Sequence, residues 1–283
     1  MPVELHERLS EFSYGYGVTR ETERRLRSAG LRATPFLPSL IHEASIGCDV
    51  AFRRPGAPLL LQFKLGQQLA RYRPEYPGQV VPALGRPFWR FAIDTLEVDG
   101  QFDLLRKAES GGAEVYYVAP KFAEWDEYAK HYQSGQVLRN SLIVAPSRID
   151  AALSAQKAPD GPHLVLYDKS TAYVRSDPAN IELMAAQQLA GAIAEKIRTR
   201  ATSVSDVLRS VFHTLETMRR VREPDGNPTL QTRRQTIRRL AVARQSRLEQ
   251  LRSRARSIDD AHFAALGVES WALGAQLIVL TVS

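Results

Sequence analysis

Apolar and polar positions along this chain alternate between two periods. The segment "GVTRETERRLRSAGL" has helical spacing, with Thr19 as N-cap, Glu21 and Glu23 in the early turns and Gly30 as a C-terminal stop. "LRATPFLPSL" is extended, because Pro35 and Pro38 block a helix. "CDVAF" and "LLLQFKL" are strand-like runs, and "RRPGAP" between them supplies turn chemistry, so the two predict a hairpin. From Gly66 to about Gly100 the chain is rich in Pro, Arg and aromatics and reads as a long irregular loop. "QFDLLRKAES" predicts a short helix stopped by Gly111 and Gly112.

Two similar units follow. "AEVYYVAPKFAEWDEYAKHY" and "NSLIVAPSRIDAALSA" each run strand, "VAP", helix, with the proline at or near the first helical turn. "HLVLYD" and "TAYVRS" form a second predicted hairpin. Strands changing repeatedly to helices argue for an α/β domain with a mixed sheet. After Asp177 and Pro178 the pattern becomes helical: "ANIELMAAQQLAGAIAEKIRTRA", "SVSDVLRSVFHTLETMRRV", and an arginine-rich stretch with Ile237, Leu240, Leu248, Leu251 and Ile258 at helical spacing. The expected organisation is an α/β domain over 1–178 and a basic, mainly helical region over 179–283 for nucleic-acid binding or assembly.

Composition narrows the classes. With 44% apolar and 24% charged residues the chain has a globular profile. Its longest apolar run, "WALGAQLIVLTV", is too short to span a bilayer, and the first residues carry no secretory pattern, so no membrane partner is expected. Cys48, the single cysteine, excludes an internal disulfide and a cysteine zinc cluster and fits a reducing cytoplasm. The formal charge of +7 favours polyanionic partners, and its excess lies between about Arg219 and Arg256.

The first predicted hairpin carries the candidate chemistry. Strand alternation puts Gln62 and Lys64 on one face and Leu61, Phe63 and Leu65 on the other. Symmetric closure about "RRPGAP" sets Asp49 opposite Gln62, and a one-residue slip would separate them. An aspartate, a second oxygen ligand and a lysine gathered there suit metal-assisted phosphodiester hydrolysis. Mg²⁺ takes oxygen ligands, and a neighbouring lysine can orient water and stabilise charge developing on phosphorus. The bland alternative is a solvated hairpin face.

Helix, strand, a "D…(E/Q)xK" hairpin, helix and strand together resemble the PD-(D/E)xK nuclease superfamily. The residues are Asp49 in "GCDVAF" and Gln62, Phe63 and Lys64 in "LLLQFKLG", over roughly Thr19 to Pro120. Glutamine in place of the commoner acid resembles the Mrr-like, "QxK" branch of restriction endonucleases. The resemblance implies a restriction-endonuclease-like mixed sheet flanked by helices. It also implies a Mg²⁺- or Mn²⁺-dependent endodeoxyribonuclease in restriction or antiphage defence. Asp49 would bind metal, Gln62 would approach the metal or its water, the Phe63 carbonyl would complete the shell, and Lys64 would act on nucleophile or transition state. The acid that the family adds is Glu21 or Glu43, with Glu23 as a further candidate on the first helix. The alternative function is a catalytically silent nuclease-fold subunit that binds nucleic acid or a protein partner. Either a second copy of the chain or a defence-system protein could fill the partner role.

Basic residues extend the DNA expectation. Arg71, Tyr72, Arg73, Arg86, Trp89 and Arg90 in the long loop could track a backbone and stack on bases. Arg233, Arg234, Arg238 and Arg239 could bind phosphates from the arginine helix. The six histidines show no metal-ligand spacing. Gly15 and Gly17 lack the third glycine of a phosphate loop and read as a tight entry into the first helix.

Overall fold

Helix α1 (Glu11–Ser28) begins eight residues before the expected Thr19 cap. Ser10 is the true N-cap, its hydroxyl accepting from the Ser13 amide at 3.1 Å, and Gly30 at φ +80° ends the segment as expected. Gly15 and Gly17 therefore lie inside the helix. Their role is close packing: a Cβ at Gly15 would lie 2.6 Å from the Phe63 ring, and one at Gly17 would lie 2.9 Å from Tyr128 Oη. Two glycines cost helix propensity, and the rings that pack against them offset it. The computed structural model describes residues 9–36, 54–74, 77–96, 100–174, 178–219, 266–267, 270 and 275–282.

The other helices among the described residues are α2 (Gln101–Ser110), α3 (Trp125–Ser134), α4 (Pro146–Ala155), α5 (Ala186–Arg200) and α6 (Val204–Arg219). A reciprocal Glu124–Glu127 capping box starts α3, and Pro146 occupies the first turn of α4. Among the described residues no helix is long and apolar enough to cross a membrane.

Among the described residues two five-stranded sheets make the body. The first contains β1 (Leu31–Phe36), β2 (Gly56–Phe63), β5 (Glu114–Pro120), β6 (Ser141–Val144) and β10 (Ala275–Val282), in the order β1-β10-β2-β5-β6. It is mixed: β2 and β5 run parallel, and the other neighbours are antiparallel. The second sheet is antiparallel in the order β3-β4-β7-β8-β9. Its strands are β3 (Gln67–Leu69), β4 (Phe88–Asp94), β7 (Pro162–Tyr167), β8 (Ala172–Val174) and β9 (Ala179–Asn180). The chain is thus an α/β protein with a mixed sheet and flanking helices.

Every residue of β2 is buried, because both faces of the first sheet are covered. Leu59, Leu61 and Phe63 pack toward α1 and α5 with Tyr14, Val18 and Ile193. Leu60 and Tyr117 pack toward the second sheet and helices α2, α4 and α6. Phe91 stacks on Tyr117 at 5.8 Å and joins the two sheets.

Three expectations change here. The hairpin pairing of Asp49 with Gln62 does not form, since the strand neighbours of Gln62 are Ala275 on one side and Tyr117 on the other. A strand apolar on both faces needs a buried position, and the Leu277–Leu280 run of β10 fills the neighbouring place. Second, the long loop contains β3 and β4; buried Phe88, Trp89, Phe91 and Ile93 explain its aromatic content. Third, position 178 does not separate two cores. Strand β10 lies between β1 and β2, and α5 and α6 bury Ile193 and Val211 in the same clusters as the strands. Helices α5 and α6 lie within the stretch expected to be helical, but that region also contains strands β9 and β10, and its arginine-rich part lies outside the described residues.

Candidate functional site

The carboxyl ends of the parallel strands β2 and β5 lie side by side. The Lys64 amide donates to the Val118 carbonyl at 3.1 Å and extends their pairing one residue beyond β2. Alternation then sets Gln62 and Lys64 on the same face as Tyr117, Ala119 and Lys121. In open α/β sheets, ligands bind outside the carboxyl ends of strands.

Tyr167 ties the two ends together. Its Oη donates to the Pro120 carbonyl at 2.9 Å, just before Lys121. On the other side, a Cβ at Gly66 would lie 2.1 Å from that same Oη and 3.1 Å from Trp89 Cβ. Only glycine lets the chain after Lys64 cross Tyr167 this closely.

Both lysines are half-buried, and burial lowers the pKa of each below its ordinary 10.5. The Glu11 charge opposes that fall at Lys64, and Asp168 opposes it at Lys121. Lys121 Nζ also donates to the Lys169 carbonyl at 2.9 Å.

Asp168 organises the rim. Its Oδ1 accepts from the Ser170 and Thr171 amides, each at 2.7 Å, and its Oδ2 accepts from the Gly85 amide at 2.6 Å. Burial works against ionisation, but these amides outweigh it and hold the carboxyl below its ordinary range. One carboxylate thus anchors both the β7–β8 turn and the loop entering β4.

Gln62 is almost wholly buried at 2% exposure, and its Nε2 donates to the Phe63 carbonyl at 3.1 Å. Phe63 turns its ring to the other face, edge-on to Tyr14 at 6.0 Å. Glu21 is buried on the α1-covered side of the sheet, opposite to Gln62. Its two oxygens accept from the Val137 and Leu138 amides at 2.7 and 3.1 Å, so its carboxylate secures the turn before β6. Glu23 pairs with Arg27 along α1. Asp49, Glu43, Arg233, Arg234, Arg238 and Arg239 lie outside the described residues.

Of the loop residues, Arg71, Arg73 and Arg86 are exposed, while Arg90 Nε donates to Gln67 Oε1 at 2.8 Å across β3 and β4. Trp89 is not a surface ring. It is 2% exposed and stacks on Tyr167 at 6.0 Å, so it cannot take a base.

The site residues missed in the sequence are Lys121 and Asp168. "DKST" carries an Asx-turn signature, Asp168 bonding amides two and three residues on. The placing of Lys64 and Lys121 at neighbouring strand ends had no local signal, because parallel strands meet across a long crossover.

No family model, curated protein or solved structure matches this chain. Two partly desolvated ammonium groups at adjacent strand ends suit a phosphate or another oxyanion.

Proposed function

We propose that this chain engages nucleic-acid phosphates at the carboxyl ends of β2 and β5 and hydrolyses phosphodiester bonds in DNA. Its fold would then be a restriction-endonuclease-like variant of the α/β class. The observation that carries the reading is the placement of Lys64 and Lys121, both desolvated, on one face of that parallel pair. Lys64 closes the "QFK" sequence that resembles the "QxK" nucleases. Hydrolysis adds water across a P–O bond, and an ammonium group beside the phosphate stabilises the charge that grows on its oxygens. The overall charge of +7 favours the polyanion. A role in restriction or antiphage defence follows from the resemblance alone.

A divalent metal belongs to what the resemblance implies. Among the described residues no three His, Cys, Asp or Glu side chains come together to hold one. The Glu21 carboxylate is occupied by backbone amides, and the Phe63 carbonyl accepts from Gln62. The described residues do not fit a metal site, so the chemistry assigned here stays with the two lysines.

That Gln62–Phe63 bond favours a second reading: a nuclease-fold protein that binds nucleic acid without cutting it. One assay separates the two. Single- and double-stranded DNA and RNA are incubated with Mg²⁺, Mn²⁺ or EDTA and wild type, Lys64→Ala or Asp49→Ala protein. The nuclease reading expects cleavage of DNA by wild type alone, with the Mg²⁺, Mn²⁺ and EDTA arms reporting any metal requirement, and cleavage unchanged in both variants would sink it. Salt-sensitive binding with no cleavage by any protein would establish the second reading.

A further inference from the structure

Outside the lysine site, a row of side chains on α1 combines exposed rings with arginines, the last of which, Arg24, also donates to the Gly135 carbonyl at 3.5 Å. Phe12, Tyr16, Arg20 and Arg24 recur every four residues and so line one side of α1. Phe12 is 85% exposed and Tyr16 58%. Helix α3 completes the surface: Tyr132 stacks on Tyr16 at 6.2 Å, and Arg20 lies over the Tyr132 ring at 4.7 Å. Beyond it, Arg20, Arg24 and Arg27 line a shallow cleft of about 480 Å³. Large exposed rings cost solvation unless they meet a partner.

The chemistry of the row selects that partner. Its apolar groups are aromatic faces rather than aliphatic side chains, and arginines continue it, which is the make-up of a base-stacking platform beside a phosphate track. The Glu23 carboxylate is neutralised by Arg27. Glu124, Asp126 and Glu127 surround the half-exposed Trp125 and set the limit of the row on that side, since like charge repels phosphate. At the other end Phe12 adjoins Glu11, whose carboxylate limits the row by the same repulsion. Bases in a duplex hide their faces in the stack, whereas those of a single strand are free to cover a ring.

We infer that this face of α1 and α3 is a track for single-stranded nucleic acid, with bases stacked on Phe12 and Tyr16 and phosphates paired with Arg20 and Arg24. The inference rests on the nucleic-acid reading above and adds the strand state of its ligand.

Fluorescence anisotropy of a labelled oligothymidine, titrated with full-length protein, tests it against a labelled duplex of equal length. Wild type should bind the single strand more tightly. The double variant Phe12→Ala/Tyr16→Ala should lose about tenfold or more in affinity, and Phe12→Trp should retain it. Arg20→Ala and Arg24→Ala should each lower the salt slope by about 0.7. Thermal midpoints near wild type confirm that these exposed positions leave the fold intact. If wild type cleaves DNA while the double variant binds oligothymidine as tightly as wild type, the track is overturned and the nuclease reading stands. If no protein cleaves but the double variant loses single-strand binding, the track stands and the nuclease reading fails. A wild-type dimer that the double variant dissociates, without any change in oligothymidine affinity, overturns the track in favour of a second copy on this face.

Discussion

Replacing Asp168 by asparagine removes one oxygen and one charge from a side chain that three backbone amides hold. Oδ1 serves Ser170 and Thr171, and Oδ2 serves Gly85 at 2.6 Å. Asparagine has a single carbonyl oxygen. If that oxygen takes the Oδ1 place, the NH₂ group faces the Gly85 N–H, donor against donor. If it takes the Oδ2 place, both turn amides lose their acceptor. The better arrangement still forfeits one hydrogen bond to a charged group and weakens two more, a cost of about 2–3 kcal/mol. That is a large share of the roughly 5–15 kcal/mol that stabilises a domain. Urea denaturation should show the midpoint falling by about 1 M, given slopes of about 1–3 kcal/mol per molar.

The sign of the pH dependence sharpens the test. The folded carboxyl of Asp168 titrates below its ordinary 3.8, so its stabilisation is complete above that value and is lost as pH falls through the folded pKa. Asparagine does not titrate. Wild type and Asp168→Asn should therefore differ most near neutrality and converge on acidification. Equal urea midpoints at neutral pH, or a gap that widens in acid, would refute the assignment of Asp168 as an ionised anchor.

Other substitutions test neighbouring parts. Gly56→Ala would place a Cβ 2.0 Å from the Leu280 carbonyl oxygen, so it should separate β10 from β2 and expose the amides of Leu59 and Leu60 to hydrogen exchange. Trp89→Ala should cost about 3–5 kcal/mol in chemical denaturation, as expected for a core ring and not for a surface base-stacking residue. Lys64 and Lys121 titrate below 10.5, so phosphate-dependent binding should weaken on alkalinisation before ordinary lysines deprotonate; Lys64→Arg, which stays charged, should shift that weakening to higher pH in anisotropy titrations. Glu21→Gln should lower the thermal midpoint through its lost amide acceptor while leaving any metal dependence of cleavage unchanged.

Local patterns carried much of this molecule. The stop at Gly30, the proline start of α4, helix α2 and the β7–β8 hairpin each depend on residues within a few positions, so they were legible in sequence. The same holds for Gln62 and Lys64 sharing a face, which needs only the two-residue period of a strand. Local chemistry is ambiguous at the start of α1. The helix start moved to Ser10 because glycines at 15 and 17, breakers in isolation, are repaid by the rings of Phe63 and Tyr128.

The neighbours of β2 were a tertiary decision. "CDVAF" and β10 are both apolar runs able to pair, and nothing within either run ranks them. Packing ranks β10 at that place, where Leu277, Ile278 and Leu280 bury on both sides of the sheet at about 1.5–3 kcal/mol each. The same long-range choice built the site. Sequence alone supplied Lys64 and its strand parity, whereas Lys121 and Asp168 reach the same end of the sheet through a parallel crossover and a second sheet. Those contacts become favourable only after the loops between them have closed, and no short window of sequence records that closure.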